Sequence, residues 1–179
     1  IRISLMGPIQ KEILATELRD KYQIEASFAE SKVTYRETLR QPVEGHGHFE
    51  PLRHFADVWL RMEPLPAGSG ISAVSECSTD ELEENYQRQI LRRLLSGRQT
   101  GVLINADLTD VRFVLTHGKS HTKHTEGGDF RKATDLAVRD ALIHGMGQVL
   151  EPYYKVRLTV PLDKMGRAMT DLTNMHGSV

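Results

Sequence analysis

Hydrophobic positions along the chain change their spacing in a way that separates helices from strands. Residues 1–5 alternate apolar and polar and predict a strand. Gly7-Pro8 then opens a helix with Pro at its first position, where the missing N–H costs nothing, and Ile9, Ile13, Leu14 and Leu18 form its stripe. Residues 23–28 (QIEASF) turn extended again. Segments 32–39, 42–50, 55–63 (FADVWLRME) and 70–77 (GISAVSEC) follow as strands, the last two separated by the turn EPLPAGSG. Ser78 and Glu81 have capping-box spacing, and Leu82, Tyr86, Ile90 and Leu94 recur every four residues up to Gly97, which predicts a second helix. A strand near 106–117 leads into a polar loop, 117–128. Asp129 is placed to cap a third helix that points Phe130, Ala133, Leu136, Ala137, Ala141 and Leu142 inward. Tyr154–Val160 reads as a strand, and Leu162, Met165, Met169 and Leu172 stripe a last helix. Phe49, Phe55, Trp59, Tyr86 and Phe130 are assigned to the core, because large aromatics dominate core burial.

This order gives an α+β chain: a partial β-α-β over residues 1–30, a complete α+β domain over 31–150, and a partial β-α over 151–179. Neither partial unit is large enough to own a core. The chain opens in mid-pattern without Met, as though it begins inside a fold.

Composition narrows the function classes. With 23 Lys+Arg against 24 Asp+Glu the chain does not carry the basic excess of a whole-surface nucleic-acid binder, so any RNA contact must be local. The single cysteine, Cys77, cannot form an internal disulfide, which together with the lack of a signal peptide points to a reducing, cytoplasmic setting. No apolar run approaches the roughly 20 residues of a membrane span. There is no G-x-x-x-x-G-K-[ST] run to cradle a triphosphate, no G-x-S-x-G elbow and no H-E-x-x-H pair, so no catalytic residues are assigned and this stretch is not expected to be an enzyme.

The chemistry-bearing segment is the loop from His117 to Gly128. Lys119 and Lys123 suit phosphates, Ser120 and Thr122 suit sugar or phosphate oxygens, and the imidazoles of His117, His121 and His124 suit splayed bases. Zinc is the competing use for those three histidines, but a fourth ligand and a matching register are missing, so no metal is assigned. The turn Leu52-Arg53-His54 resembles a tip loop that lies between two strands in elongation factor G, which makes it a second candidate with Arg53 as a phosphate contact.

SLMGPIQKEI (4–13), KYQIEASF (21–28) and VTYRETL (33–39) resemble the end of domain III and the start of domain IV of elongation factor G. EPLPAGSG (63–70) is similar to the corresponding turn of the tetracycline-resistance ribosomal protection proteins. LEPYYKVRLTVPLDKMGRAMTDLTNMHG (150–177) resembles the family's opening of domain V, with its basic end weakened to Met175-His176-Gly177. The resemblance, ordered along nearly the whole chain, implies a domain IV with a left-handed β-α-β crossover, flanked by partial ferredoxin-like β-α units. It further implies a translational GTPase parent binding GTP and Mg, and a role in ribosomal protection, antibiotic resistance or protein biosynthesis. The expected partner is the ribosome, through small-subunit rRNA near the decoding centre, rather than DNA or a membrane. His121 matches the family's tip histidine in the pattern Gly-x-x-His, whereas the Tyr-Ser-Pro-Val-type tip of the protection proteins is missing. The alternatives are an elongation factor G paralogue acting in translocation, a stand-alone RNA-binding or ribosome-assembly module, and a small kinase of the same fold family.

Overall fold

The computed structural model describes residues 3–178, which divide into a unit ending at Thr34 and another running from Tyr35 onward. In the first unit, helix α1 (Pro8–Tyr22) begins with Pro8 as expected and ends on Gln23 in the left-handed region at φ 55, whose N–H returns to the Arg19 carbonyl. Of the strand expected over 1–5, residues 1–2 lie outside the described residues and 3–5 form no strand. Neither do residues 23–28. An extended segment becomes a strand only when another backbone takes up its N–H and C=O groups, and none of the described residues does so.

The second unit contains two sheets. Strands β1 (Arg36–Leu39), β2 (Val43–Phe49), β3 (Ala56–Pro64) and β4 (Ile71–Ser75) are followed by helix α2 (Glu84–Ser96). Then come β5 (Asp107–Leu108), β6 (Val111–Lys119), helix α3 (Asp129–His144), β7 (Gly147–Leu150) and, after a short 3-10 turn, α4 (Met165–Asn174). The larger sheet has the order β2-β3-β6-β4 and the smaller one β5-β1-β7. β4 and β6 are parallel neighbours joined through α2, giving a β-α-β unit, while β3 is antiparallel to both β2 and β6.

One face of the larger sheet is closed by α2 and α3. Val58, Leu60 and Met62 from β3, Phe113 and Leu115 from β6, and Phe130, Ala133, Ala137 and Ala141 from α3 fill that layer. β2 supplies Gly45 and Gly47 there. A Cβ on Gly47 would lie 1.9 Å from the Ala133 carbonyl oxygen, and one on Gly45 2.2 Å from that of Ala137, so only glycine admits the helix at this distance. The edge amide of His46 donates to the Asp140 carboxylate of α3 at 2.9 Å, which ties helix to strand and satisfies an exposed edge.

In the smaller sheet, the buried Glu37 carboxylate of β1 accepts the Leu103, Ile104 and Ala106 N–H groups. Burial acts to raise its pKa, but these backbone bonds outweigh it and hold the carboxyl below its ordinary value.

Several details differ from the sequence reading. Ser78 does not cap α2; its carbonyl instead takes the Glu81 and Leu82 N–H groups in a separate turn, because Leu82 is pulled into the core beside Gly118. Buried Gln87 secures that turn, donating to the Leu82 carbonyl at 2.8 Å. Leu136 points outward at 42% exposure, since the inward stripe of α3 follows 130, 133, 134, 137, 138 and 141. The strand expected near 106–117 is broken at Asp110, in the left-handed region at φ 57, into β5 and β6, and β7 is an additional strand. Residues 154–160 form no strand, Leu162 is exposed on the 3-10 turn, and Met165 and Met169 are exposed on a helix with no buried residue. No helix among the described residues is long and apolar enough to cross a membrane.

Replacing Gly47 with Ala should lower the unfolding free energy by about 1–3 kcal/mol. Gly127→Ala, whose Cβ would meet nothing within 4 Å, should stay within about 0.5 kcal/mol. Urea titration of both variants checks the pair.

Candidate functional site

The antiparallel register places the β2–β3 turn, the C-terminal end of β6 and the N-terminal end of α3 together. His48 faces Asp57 across β2 and β3, and Asp57 faces Lys119 across β3 and β6. Both loops singled out in the sequence therefore lie at one end of the sheet.

In the first loop, Leu52 is 90% exposed and Arg53 sits at φ 65, a left-handed conformation that costs a non-glycine residue free energy and marks a tight turn. The His54 N–H closes that turn on the Pro51 carbonyl at 2.8 Å. In the second, β6 runs on to Lys119, so His117 and Lys119 belong to a strand and the loop proper starts at Ser120. Residues 121–125 form a closed turn rather than a free coil. The His121 carbonyl accepts the His124 and Thr125 N–H groups, and the His121 ring nitrogen accepts the Lys123 N–H at 3.2 Å. Thr122, Lys123 and His124 are exposed on it, and Ser120 is half-buried.

Two side chains from the second loop's end of the chain hold the first. Thr125 Oγ1 accepts the His121 N–H at 2.8 Å and donates to the Phe55 carbonyl at 2.7 Å. Asp129, 3% exposed, pairs with His54 Nδ1 at 2.9 Å and accepts the N–H groups of Glu126 at 2.8 Å and Phe55 at 3.4 Å. Gly128, not Asp129, occupies the N-cap of α3. Asp129 acts from the first helical turn, where the helix dipole favours a carboxylate.

The three histidines weighed as zinc ligands do not converge. His117 pairs with Glu81 at 3.1 Å, while His121 and His124 stack face to face with centroids 4.5 Å apart. Among the described residues no group of three His, Cys, Asp or Glu side chains is placed to hold a metal.

The face of the sheet away from the helices holds a group that the sequence reading did not single out. A bulge opposite Trp59 and Leu60 skips Thr116, so the alternation of β6 shifts by one and His117 and Lys119 emerge on the open face. Trp59, assigned to the core from sequence, is half-buried there, as Phe55 is beside the loops. His46 Nε2 and His48 Nδ1 both bond Asp57 Oδ1, at 2.9 and 2.8 Å. The His-x-His spacing on an alternating strand was the available signal: it puts both rings on one face.

The hydrogen bond to Asp57 raises the His48 pKa; partial burial opposes this, and the charges of Asp57 and Glu50 add to it. The fold thus favours charged His48. Its stabilising contribution is complete below the ordinary value of 6.5 and is lost as pH rises through the raised value. An NMR titration should give a His48 midpoint above 6.5, and Asp57→Asn should move it down; a midpoint at or below 6.5 in the unmodified protein refutes the pairing. Asp129→Ala strands the three groups it satisfies and should cost about 1–3 kcal/mol. Thermal unfolding measures that cost, and amide exchange should accelerate at Phe55 and Glu126.

A family model described as elongation factor G, domain IV, matches residues 31–145. A crystal structure of a protein from Thermus thermophilus is similar to the chain at 25% sequence identity with a TM-score of 0.80. That match covers 95% of this chain and 26% of the other, so the chain spans about a quarter of that protein's length. With well over half its residues matched by the model, and a mixed sheet-and-helix architecture to go with it, the chain belongs to the elongation factor G domain IV family.

Proposed function

We propose that this chain is the ribosome-contacting part of a translational GTPase, and that the loops at 51–54 and 117–128 enter the decoding region of the ribosome, at the A site, and touch rRNA there. On this reading, residues 1–30 and 151–179 are the ends of neighbouring domains, and the parent factor works in the cytoplasm, supplying GTP and Mg binding elsewhere. The observation that carries it is the fixed basic end of the sheet. Arg53, Lys119 and Lys123 take part in none of the ion pairs found among the described residues; Arg53 and Lys123 stand on the loops joined by Thr125 and Asp129, and Lys119 ends the strand that leads into the second. Unpaired cations held in a fixed arrangement suit phosphates whose positions are also fixed.

Within the family, the turn at 63–70 favours a tetracycline-resistance-type ribosomal protection protein. A second reading, translocation by an elongation factor G paralogue, is favoured by the tip itself, where His121 and Lys123 stand on a closed turn in place of a Tyr-Ser-Pro-Val segment.

Replacing Lys119, His121 and Lys123 together by Ala in the intact factor should weaken ribosome binding and flatten the slope of log affinity against log salt by about 1 to 2. Nucleotide binding and melting temperature should not move. Unchanged ribosome affinity would sink the tip reading. Tetracycline sensitivity of cells carrying the factor, set against translocation in a reconstituted system, separates the two roles.

A further inference from the structure

The open face of the larger sheet carries a line of rings that continues into the second loop. His117 stands edge-on to Trp59 with centroids 6.5 Å apart, and Trp59 stacks on His46 at 4.3 Å and 11° between planes. His46 lies 6.3 Å from His48, which meets Phe55 edge-on at 5.9 Å. Phe55 in turn lies 6.2 Å from His121, the ring that stacks on His124. Rings from three neighbouring strands and the adjoining loop thus form one path, and none of it is needed to close the core, which lies on the other side of the sheet.

The carboxylates along this path have side-chain hydrogen-bond partners, with Glu63 and Glu76 sharing one guanidinium. Asp57 is taken by His46 and His48, Glu50 by His48, Glu81 by His117, and Glu63 and Glu76 by Arg61. Glu44 sits at the end of β2 away from the loops. Lys119 is on the same face and enters none of these pairs. A shallow hollow of ≈ 510 Å³ opens beside Trp59, lined by Trp59, Glu81, His117, Gly118 and Lys119. It offers ring surface next to an ammonium group, the combination that a base and its own phosphate require.

We propose that the open face is a second RNA-contact surface, continuous with the loops, that takes unpaired bases of a single-stranded segment, with one base against Trp59 in the hollow and its phosphate on Lys119. A duplex keeps its bases stacked inside and offers no ring face to this path, so the surface selects single strands. The assignment rests on the tip reading above for its RNA partner, and extends the contact from the loop ends down the side of the domain.

Trp59 is the one tryptophan of the chain, so its fluorescence reports on the hollow directly. Titrating the 179-residue protein with a short labelled oligouridine or oligoadenine strand should quench Trp59 emission, and a duplex of the same length should not. Trp59→Leu should weaken single-strand affinity by about fivefold or more, and Trp59→Phe should retain most of it. His46→Ala, which removes the ring stacked on Trp59, should weaken binding while the protein stays folded. Emission unchanged by single strands, equal quenching by duplex, or quenching by a basic peptide but not by oligonucleotides overturns the proposal, whether or not the Leu variant folds. Unaltered affinity in a folded Trp59→Leu protein, with ribosome binding still dependent on the loop lysines, removes the face and leaves the tip standing. Weakened affinity in a folded Trp59→Leu protein, with ribosome binding unchanged by Arg53→Ala and Lys123→Ala, removes the tip and leaves the face.

Discussion

The close approach of α3 to β2 sets the rest of the domain. Gly45 and Gly47 remove the side chains that would hold the helix off, and small Ala133, Ala137 and Ala141 meet them from the other side. Once that contact is made, the outward positions of β2 are left to His46 and His48, and the helix axis is fixed relative to the sheet. The N-terminal end of α3 then arrives beside the β2–β3 turn, which brings the Asp129 carboxylate within reach of His54 and Phe55. Core packing and loop placement are therefore one constraint.

That placement brings loop residues that are far apart in the chain to one end of the sheet. Loops ordinarily move more than the elements they join. Here the second loop is closed on itself through His121, and fixed to the first through Thr125 and a buried carboxylate. The exposed cations therefore stand on a supported backbone. The bulge in β6 contributes equally: by skipping one residue it moves His117 and Lys119 onto the same face as Trp59 and Asp57.

The flanking segments show the limit of local patterns. α1 and α4 form with the apolar stripes expected of them, yet neither buries a residue. Helical hydrogen bonds are internal to the segment and need no neighbour, whereas the extended stretches at 23–28 and 154–160 depend on a partner backbone and are not strands.

Local information was enough for the helices, the strands of the larger sheet, most core positions and the family, because the period of apolar residues and the order of short motifs can be read along the chain without knowing what meets what. Both loops were singled out as well, the second from its run of polar and basic residues together with the family resemblance, the first from the resemblance. Hidden from that reading were the link that Asp129 makes between the loops, the departure of Leu82 from its helix into the core, and the outward position of Trp59 beside two histidines. Each depends on which residues meet across strands, and a one-residue bulge is enough to reverse the side on which a residue emerges. Packing settles such matters, since it alone brings partners from distant parts of the chain into contact.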